Sequence, residues 1–574
     1  MKSILIACFM IVAGCATLDS KGPEGPRPTQ KTWKTPTNVP TIDLSRDNVP
    51  DFWTATPTII NTNNFANMHQ ITDAIEGPHP RPAKFLPPHK KPHFEENGPP
   101  NELRAGLGNS NTTIHDEGGF DAIPNTVWSP PDPSLAVGPD HVVVTVNMAI
   151  AFYDKQGNEQ FSALLDSTGS PGFFEDIGGG DFTFDPKCFY DQYAERFVVL
   201  ALEYYNDESW ITIAVSDDSD PNGVWYKYRT WSVISDGGDT YWVDYPGLGF
   251  DDGYYYVTGN LFGLNNGGWG GVLYRVFDKS PMLVGDPVVI ADVRRSGHAS
   301  MQCSQQYGES PSAFFVGRRN NTELRVSHIN NPANPTVVSE FVAVPYHSTP
   351  GTVGNPGGGI SALDGRMMNA HYRNGRLWAT HGIEGSGVTA VGRWYEIGLD
   401  NWPATAPFLL QSGDAPVSGQ STFFPAIAAN KRGEVAVVVA SANSSTNPGL
   451  YIVGRKENDP LGVMGIPIMV AQGNSGADGR WGDYFDMTVD PNNDTRFWYV
   501  GEFQNNQGWQ TYVGSATITC IEDINADGVV NVTDLLSLIS AWGTGGDGAE
   551  IASPYDIVNI SDLLGVVGVF GSCP

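Results

Sequence analysis

From Asp132 onward the chain repeats itself. A turn, an alternating apolar strand, a short polar turn and a second apolar strand return roughly every 50–70 residues. The pattern begins at Asp132-Pro133-Ser134-Leu135-Ala136-Val137-Gly138. It returns at Asp185-Pro186-Lys187-Cys188-Phe189-Tyr190-Asp191 and at Tyr245-Pro246-Gly247-Leu248-Gly249-Phe250-Asp251. Weaker copies sit at Met301 to Cys303 and Ala370 to Tyr372, and clear ones at Phe424 to Ala428 and Tyr484 to Asp490. Units close on Asp220-Pro221, Ser280-Pro281, Asn331-Pro332, Trp402-Pro403 and Asp459-Pro460, where a residue without an N–H stops a sheet ladder. In the best-matched pair of units, Asp239, Trp242, Asp244, Tyr245 and Asp251 align with Asp478, Trp481, Asp483, Tyr484 and Asp490 at identical spacing.

A unit of three or four strands cannot bury both of its faces alone. Packing such sheets face to face around an axis hides both faces and leaves only short edges. The repeats therefore predict an all-β chain whose residues 116–518 form a seven-bladed β-propeller. A ring of six or eight blades is the near alternative; a string of immunoglobulin-like sandwiches would want about 100 residues per unit. The 66 glycines, 42 prolines and 11% aromatic content suit short strands joined by tight turns and make a helix bundle a poor reading.

The charge balance removes one partner class. Asp and Glu total 63 against 33 Lys and Arg, a formal charge of −30, so the surface repels phosphate backbones and nucleic acid is excluded as a partner. At the N-terminus, Lys2 precedes an apolar run from Ile4 to Ala13 that is too short to span a bilayer but suits a signal peptide. Val12-Ala13-Gly14-Cys15 resembles the bacterial lipobox. That resemblance implies a signal peptide over 1–14, lipidation of Cys15, and an exported lipoprotein of the outer membrane or cell surface that meets the membrane through its lipid anchor only. The alternative is ordinary cleavage after Ala16 and a secreted chain. Residues 15–115 are rich in proline, with no sustained period of 2 or 3.6, and read as a semi-rigid tether. His79, His89 and His93 lie in this stiff stretch, where three ligands rarely converge on a metal.

The last 55 residues carry a chemical motif. Asp523-Ile524-Asn525-Ala526-Asp527-Gly528-Val529-Val530-Asn531-Val532-Thr533-Asp534 fits an EF-hand-type calcium loop. Asp523, Asn525 and Asp527 would supply side-chain oxygens, Val529 its carbonyl, Asn531 an oxygen directly or through water, and Asp534 the closing carboxylate. Gly528 permits the sharp turn. Residues 535–542 then read as a short amphipathic helix. Val530-Asn531-Val532-Thr533-Asp534-Leu535-Leu536 recurs as Val558-Asn559-Ile560-Ser561-Asp562-Leu563-Leu564. With its loop closed by Asp and its loop–helix unit duplicated, residues 519–574 resemble the type I dockerin family. The resemblance implies bound calcium and a cohesin-like or other cell-surface protein partner, met through Val532, Thr533, Ile560 and Ser561. The second loop departs from the family, with Ile551, Ser553 and Tyr555 where ligands belong. Cys520 and Cys573 bracket the module, and a disulfide between them would staple a segment with little core.

No reaction is written in the motifs. His-Glu-x-x-His, Gly-x-Ser-x-Gly and the P-loop are absent, and the stretch from Ser216 to Trp225 does not match a sialidase Asp-box. The repeated Trp242/Trp481 and Asp244/Asp483 invite a sugar site. Residues demanded by every unit are better read as packing between blades and capping backbone N–H groups. Cys188 and Cys303 fall on inner-strand positions and read as unpaired small hydrophobes. Asp185, Asp244 and Asp483 are the acidic candidates for a catalytic mouth. The leading expectation is a binding or adhesion protein of the cell envelope whose propeller takes a glycan or protein. The alternative is a carbohydrate-active enzyme, a glycoside hydrolase or polysaccharide lyase on a propeller scaffold; a third is a purely structural surface component.

Overall fold

The computed structural model describes residues 39–61, 92–95, 103, 106, 110–126, 128–165, 172–180, 182–205, 207–265, 267–309, 312–399, 401–525, 529–545, 549, 551 and 557–572. Cys15 and its lipobox, His79, His89, most of the proline-rich stretch, Asp527, Gly528, Ser553, Tyr555 and Cys573 lie outside them. The account below concerns the compact unit that begins at Pro40.

The chain is mostly β, and its sheets stand in a propeller-like arrangement. The repeats mark the innermost strands: Ser134–Val137, Thr183–Asp191, Thr240–Phe250, Gln302–Cys303, Met367–Arg373, Ser421–Ala429 and Asp486–Val489. Each heads a run of antiparallel neighbours, Thr240–Phe250 and Met367–Arg373 with a further short strand on the other side, and each touches the inner strand of the next sheet, the last returning to the first. Six of these strands are four residues or longer, so six regular blades stand where seven like copies were expected. The exception is Gln302–Cys303. Its continuation, Gln305–Tyr307, leaves the sheet and pairs in parallel with Met367–Arg373 of the following one, which cuts the inner strand short.

The Asp-Pro, Tyr-Pro and Phe-Pro pairs that read as turns lie at the inner strands' kinks instead. Pairing slips a register at Tyr245-Pro246 and Phe424-Pro425, and between Phe184 and Lys187 around Asp185-Pro186. A proline inside a sheet is tolerated at such a bulge because its missing N–H is not asked to pair. The residue before each proline takes a positive φ: 50° at Asp132, 46° at Asp185, 53° at Tyr245 and 52° at Phe424. Few L-residues adopt that region cheaply, and it recurs at the matching position of four sheets.

Apolar faces meet between sheets. Between the first two, Val143, Phe152, Cys188, Val199 and Trp225 form one buried cluster, with Phe152 and Trp225 stacked at 5.9 Å. The ring is closed by chain from its own beginning: His115–Pro124 becomes the outermost strand of the last sheet, pairing with Gly508–Thr517. Cys188 and Cys303 are buried and unpaired.

The expected tether is partly built into the propeller. Asp51–Ala55 pairs with the outer strand Val288–Arg295, Thr58–Asn61 pairs with Val224–Trp231, and Ile42–Asp43 lies parallel to Ile234–Ser235. Glu95 reaches Arg319 and Arg325 of a further sheet. Unpaired outer strands would accept any extended chain, and these segments occupy them.

At the C-terminus, helices Val532–Ser540 and Ile560–Gly568 carry the same N-terminal cap, Asn531 with Asp534 and Asn559 with Asp562. The first helix starts ahead of the expected residue 535, because Asn531 caps it. Val530, Leu538, Ala549, Ile551, Val558 and Val566 form a small core, and Val529–Val530 pairs with Gly571–Ser572. Cys520 is disulfide-bonded. Arg432, on the turn between two inner-sheet strands, donates to the carbonyls of Cys520 at 3.1 Å and Asp523 at 2.9 Å, and more weakly to that of Thr519.

Deleting residues 40–61 bares the outer edges of two sheets. The expected outcome is a lower unfolding temperature and concentration-dependent association, read by calorimetry and by size-exclusion chromatography.

Candidate functional site

The kinked starts of the inner strands bring a set of charged groups to one mouth of the ring. Asp132, before its proline, accepts from Asn147 Nδ2 at 2.8 Å and from the Asp483 N–H at 3.0 Å. The other end of the Asn147 amide accepts the Asp185 N–H at 2.8 Å, so one side chain ties the openings of two sheets together. Asp483 is clasped by Arg480, whose side chain is half exposed. Arg366 makes a two-pronged pair with Asp364 at 2.7 and 2.8 Å and lies 4.5 Å above the Tyr245 ring. Tyr245 meets Tyr484 edge to face at 6.1 Å, and the Lys187 ammonium sits 3.1 Å over the Tyr484 ring.

The three acidic candidates converge here electrostatically. The Asp185 carboxyl, 7% exposed, takes no hydrogen bond from the described residues. Burial pushes it well above the usual carboxylate range, and the charges of Asp244 and Asp483 push it further, with Arg480 and Lys187 opposing. Asp132 is raised in the same way, first by burial and then by Asp483 and Asp185. Behind them stands Glu502, fully buried, both carboxyl oxygens without a hydrogen-bond partner among the described residues. Burial, then Asp132 and Asp483, holds it far above its ordinary value. An unpaired carboxyl in such a place stays protonated, because ionising it costs more than the proton's release returns. Asp244 is partly exposed.

Below the mouth the axis is filled. A cavity of about 20 Å³, room for roughly a single water, is lined by Ser134, Lys187, Cys188, Gln302, Gln305 and Asp486. Asp486 accepts from Ser134 Oγ at 2.7 Å. A larger pocket of about 260 Å³ opens beside Arg480, with Trp128, Ser129, Asp478, Trp481 and Gln504 in its wall. The repeated tryptophans do not offer faces to a sugar. Trp242 is buried against Tyr204, Phe262 and Phe184, and Trp481 against Phe423 with its Nε1 on Gln504 Oε1 at 2.7 Å. They pack between blades.

Asp132, Lys187, Tyr245 and Tyr484 join the site although the sequence reading had not assigned them to it; all four lie inside the repeated motif, which was the available signal. Arg366, Arg480 and Glu502 had none, since they come from a turn, a loop and a second strand that the repeat does not mark.

In the C-terminal module Asp523 and Asp534 are fully buried. Asp534 accepts the N–H groups of Asn525 at 3.1 Å and Asn531 at 2.8 Å; Asn531 Oδ1 accepts from Thr533 N at 2.7 Å. Two buried carboxylates in an all-oxygen donor set fit a hard cation. Among the described residues no three His, Cys, Asp or Glu side chains are grouped to hold a metal. In the second loop Ile551 is a core residue, and Asp562 accepts its N–H at 2.7 Å. Val532 and Ile560 stand exposed at the helix starts, Val532 continued by Leu536 and Ile539, Ile560 by Leu564 and Val567. Thr533 and Ser561 donate their backbone N–H groups to the two capping asparagines.

No family model matches the chain, and no curated protein matches it. Solved structures do. An α-L-arabinofuranosidase from Fusarium graminearum aligns over 71% of this chain and 99% of its own, at 9% identity and a TM-score of 0.33. Trypanosoma rangeli sialidase aligns over 72% and 62%, at 9% identity and 0.31. A putative exo-β-1,3-galactanase from Bifidobacterium bifidum aligns over 53% and 97%, at 9% identity and 0.27. At such values the likeness carries no argument about this chain's chemistry, which rests on its own residues.

Glu502 gives the mouth a measurable signature. Its folded value lies above the ordinary 4.5, so the folded chain binds a proton that the unfolded chain releases, and stability falls as pH rises past 4.5 toward the folded value. Glu502→Gln is expected to flatten that decline in a series of unfolding temperatures; an unchanged slope would mean that the carboxyl has a partner.

Proposed function

We propose that the chain is a carbohydrate-active enzyme, a glycoside hydrolase on a propeller scaffold, with its acid–base chemistry at the acidic mouth. The carrying observation is Asp185: a buried carboxyl with no hydrogen-bond partner among the described residues, held well above the usual carboxylate range by burial and by neighbouring carboxylates, with Arg480, which lines a pocket, opposing them. Cleaving a glycosidic bond requires one carboxyl that gives a proton to the departing oxygen and a second that is ionised, acting on the sugar or on water. In this reading Asp185 is the acid and the partly exposed Asp244 the second carboxyl. Asp483, fixed by Arg480, keeps negative charge beside Asp185 and so keeps its proton in place. The pocket near Arg480 has room for about one sugar ring. Pure binding has less support, because the repeated tryptophans pack between blades, Trp481 reaching the pocket wall at only 3% exposure. The test is release of reducing ends from a panel of neutral and acidic polysaccharides. Asp185→Asn keeps the shape and tolerates positive φ. It is expected to lower kcat by roughly 100-fold or more with little change in unfolding temperature. No product from any polysaccharide, or full activity in the variant, ends this reading.

The terminal module is proposed to bind one calcium through Asp523, Asn525, Asp527, Val529, Asn531 and Asp534, and to present Val532, Thr533, Ile560 and Ser561 to a cohesin-like or other surface protein. Support comes from the two buried carboxylates and the paired exposed apolar stripes. Export, lipidation at Cys15 and a Cys520–Cys573 bond belong to the same proposal. Asp534 also caps a helix, so Asp527→Ala is the cleaner variant. Calorimetry on the full chain is expected to show one site that this change weakens at least tenfold, about 1.4 kcal/mol. Two equal sites, or none, would count against it.

A further inference from the structure

Two residues beyond the proposed acid, on the same inner strand, stands a buried cation that the chemistry above does not use. The Lys187 ammonium has no hydrogen-bond acceptor among the described residues and lies 3.1 Å over the Tyr484 ring. The lysine is 8% exposed. It separates two sets of carboxyl groups. Asp185 and Asp132 lie toward the mouth, while Asp486 lines the axial cavity with it. Other titratable groups facing this region are Cys188 on its own strand, Cys303 across the cavity, and Tyr484. Burial holds both thiols and the phenol in their neutral forms. They do not compensate the cation.

We infer that Lys187 is a positioning residue for the mouth, its ammonium between Asp185 and Asp486 governing how many protons the carboxyls above it carry. The inference rests on the reading of Asp185 as the acid, and extends it to the group that sets its charge. With several carboxyls crowded in a poorly solvated space, each added negative charge raises the cost of the next. A fixed positive charge beneath them lowers that cost from below, as Arg480 lowers it from the mouth. Removing it should leave the mouth with more protons at a given pH. Adding a permanent one should leave the low-pH behaviour alone and erase the lysine's own titration.

That titration has a sign that can be checked without substrate. Burial lowers Lys187 from 10.5 to about 8. Between those values the unfolded chain holds a proton that the folded chain lacks, so stability rises with pH across the window. The experiment compares the full wild-type chain with Lys187→Met and Lys187→Arg, by unfolding temperature against pH and by the pH profile of glycan hydrolysis. Wild type is expected to gain stability from about pH 8 toward 10.5, and both variants to lose that gain. Lys187→Met should also move the acidic limb of the rate profile to higher pH, and Lys187→Arg should keep it in place. An alkaline gain that persists in either variant overturns the inference. So does an acidic limb in Lys187→Met that coincides with wild type. If no polysaccharide is cleaved, the hydrolase reading fails while the stability series still decides whether Lys187 titrates there. Should Lys187→Met not fold, Lys187→Arg alone decides the same point.

Discussion

A left-handed backbone step recurs at the start of the inner strands, at Asp132, Asp185, Tyr245 and Phe424 before a proline and at Ser300 without one, and much of this molecule follows from that step. At Asp185, Tyr245 and Phe424 the strand also slips a register, and Asp132, Asp185 and Tyr245 meet the charged groups of the mouth while Phe424 stays in the core. Asn147 binds two of the steps at once, so the backbone distortion is shared between neighbouring sheets. Face-to-face packing makes the ring, and the kinks decide what stands at its mouth.

What stands there is costly. Asp132, Asp185 and Glu502 are carboxyls in places where ionisation is opposed, and Asp483 is tolerated because Arg480 clasps it. A fold built for stability alone would fill such positions with apolar groups of similar volume. Their presence separates this mouth from the ion pairs elsewhere in the ring, such as Arg275 with Asp292, where each charge has its partner. The alternation of Lys187, Tyr484, Tyr245 and Arg366 runs across the mouth as cation, ring, ring, cation. It fixes the floor on which the carboxyls sit.

The sequence disclosed the inner strands well, because each begins with a repeated cluster whose apolar residues must face the next sheet. It disclosed Asp185, Asp244 and Asp483 as candidates for the same reason. It misplaced the proline steps as turns, since a proline beside an acid reads locally as a bend and only strand pairing reveals a bulge. It also read Asp51–Ala55 and Thr58–Asn61 as part of a spacer. Those strands are short and surrounded by proline, and what stabilises them is a distant sheet edge. The shortened strand at Gln302–Cys303 was visible as a weak copy, but the parallel pairing of Gln305–Tyr307 was not, because nothing local specifies a partner more than sixty residues away. Glu502 gave no signal at all: a glutamate in an alternating strand looks like a surface residue.

Arg432 holds the terminal module by main-chain oxygens. Side chains at 519–523 can therefore change without loosening this grip, provided the backbone path is kept. The segment that leads into the two helices is thus moored to the ring through its backbone, whatever side chains it carries.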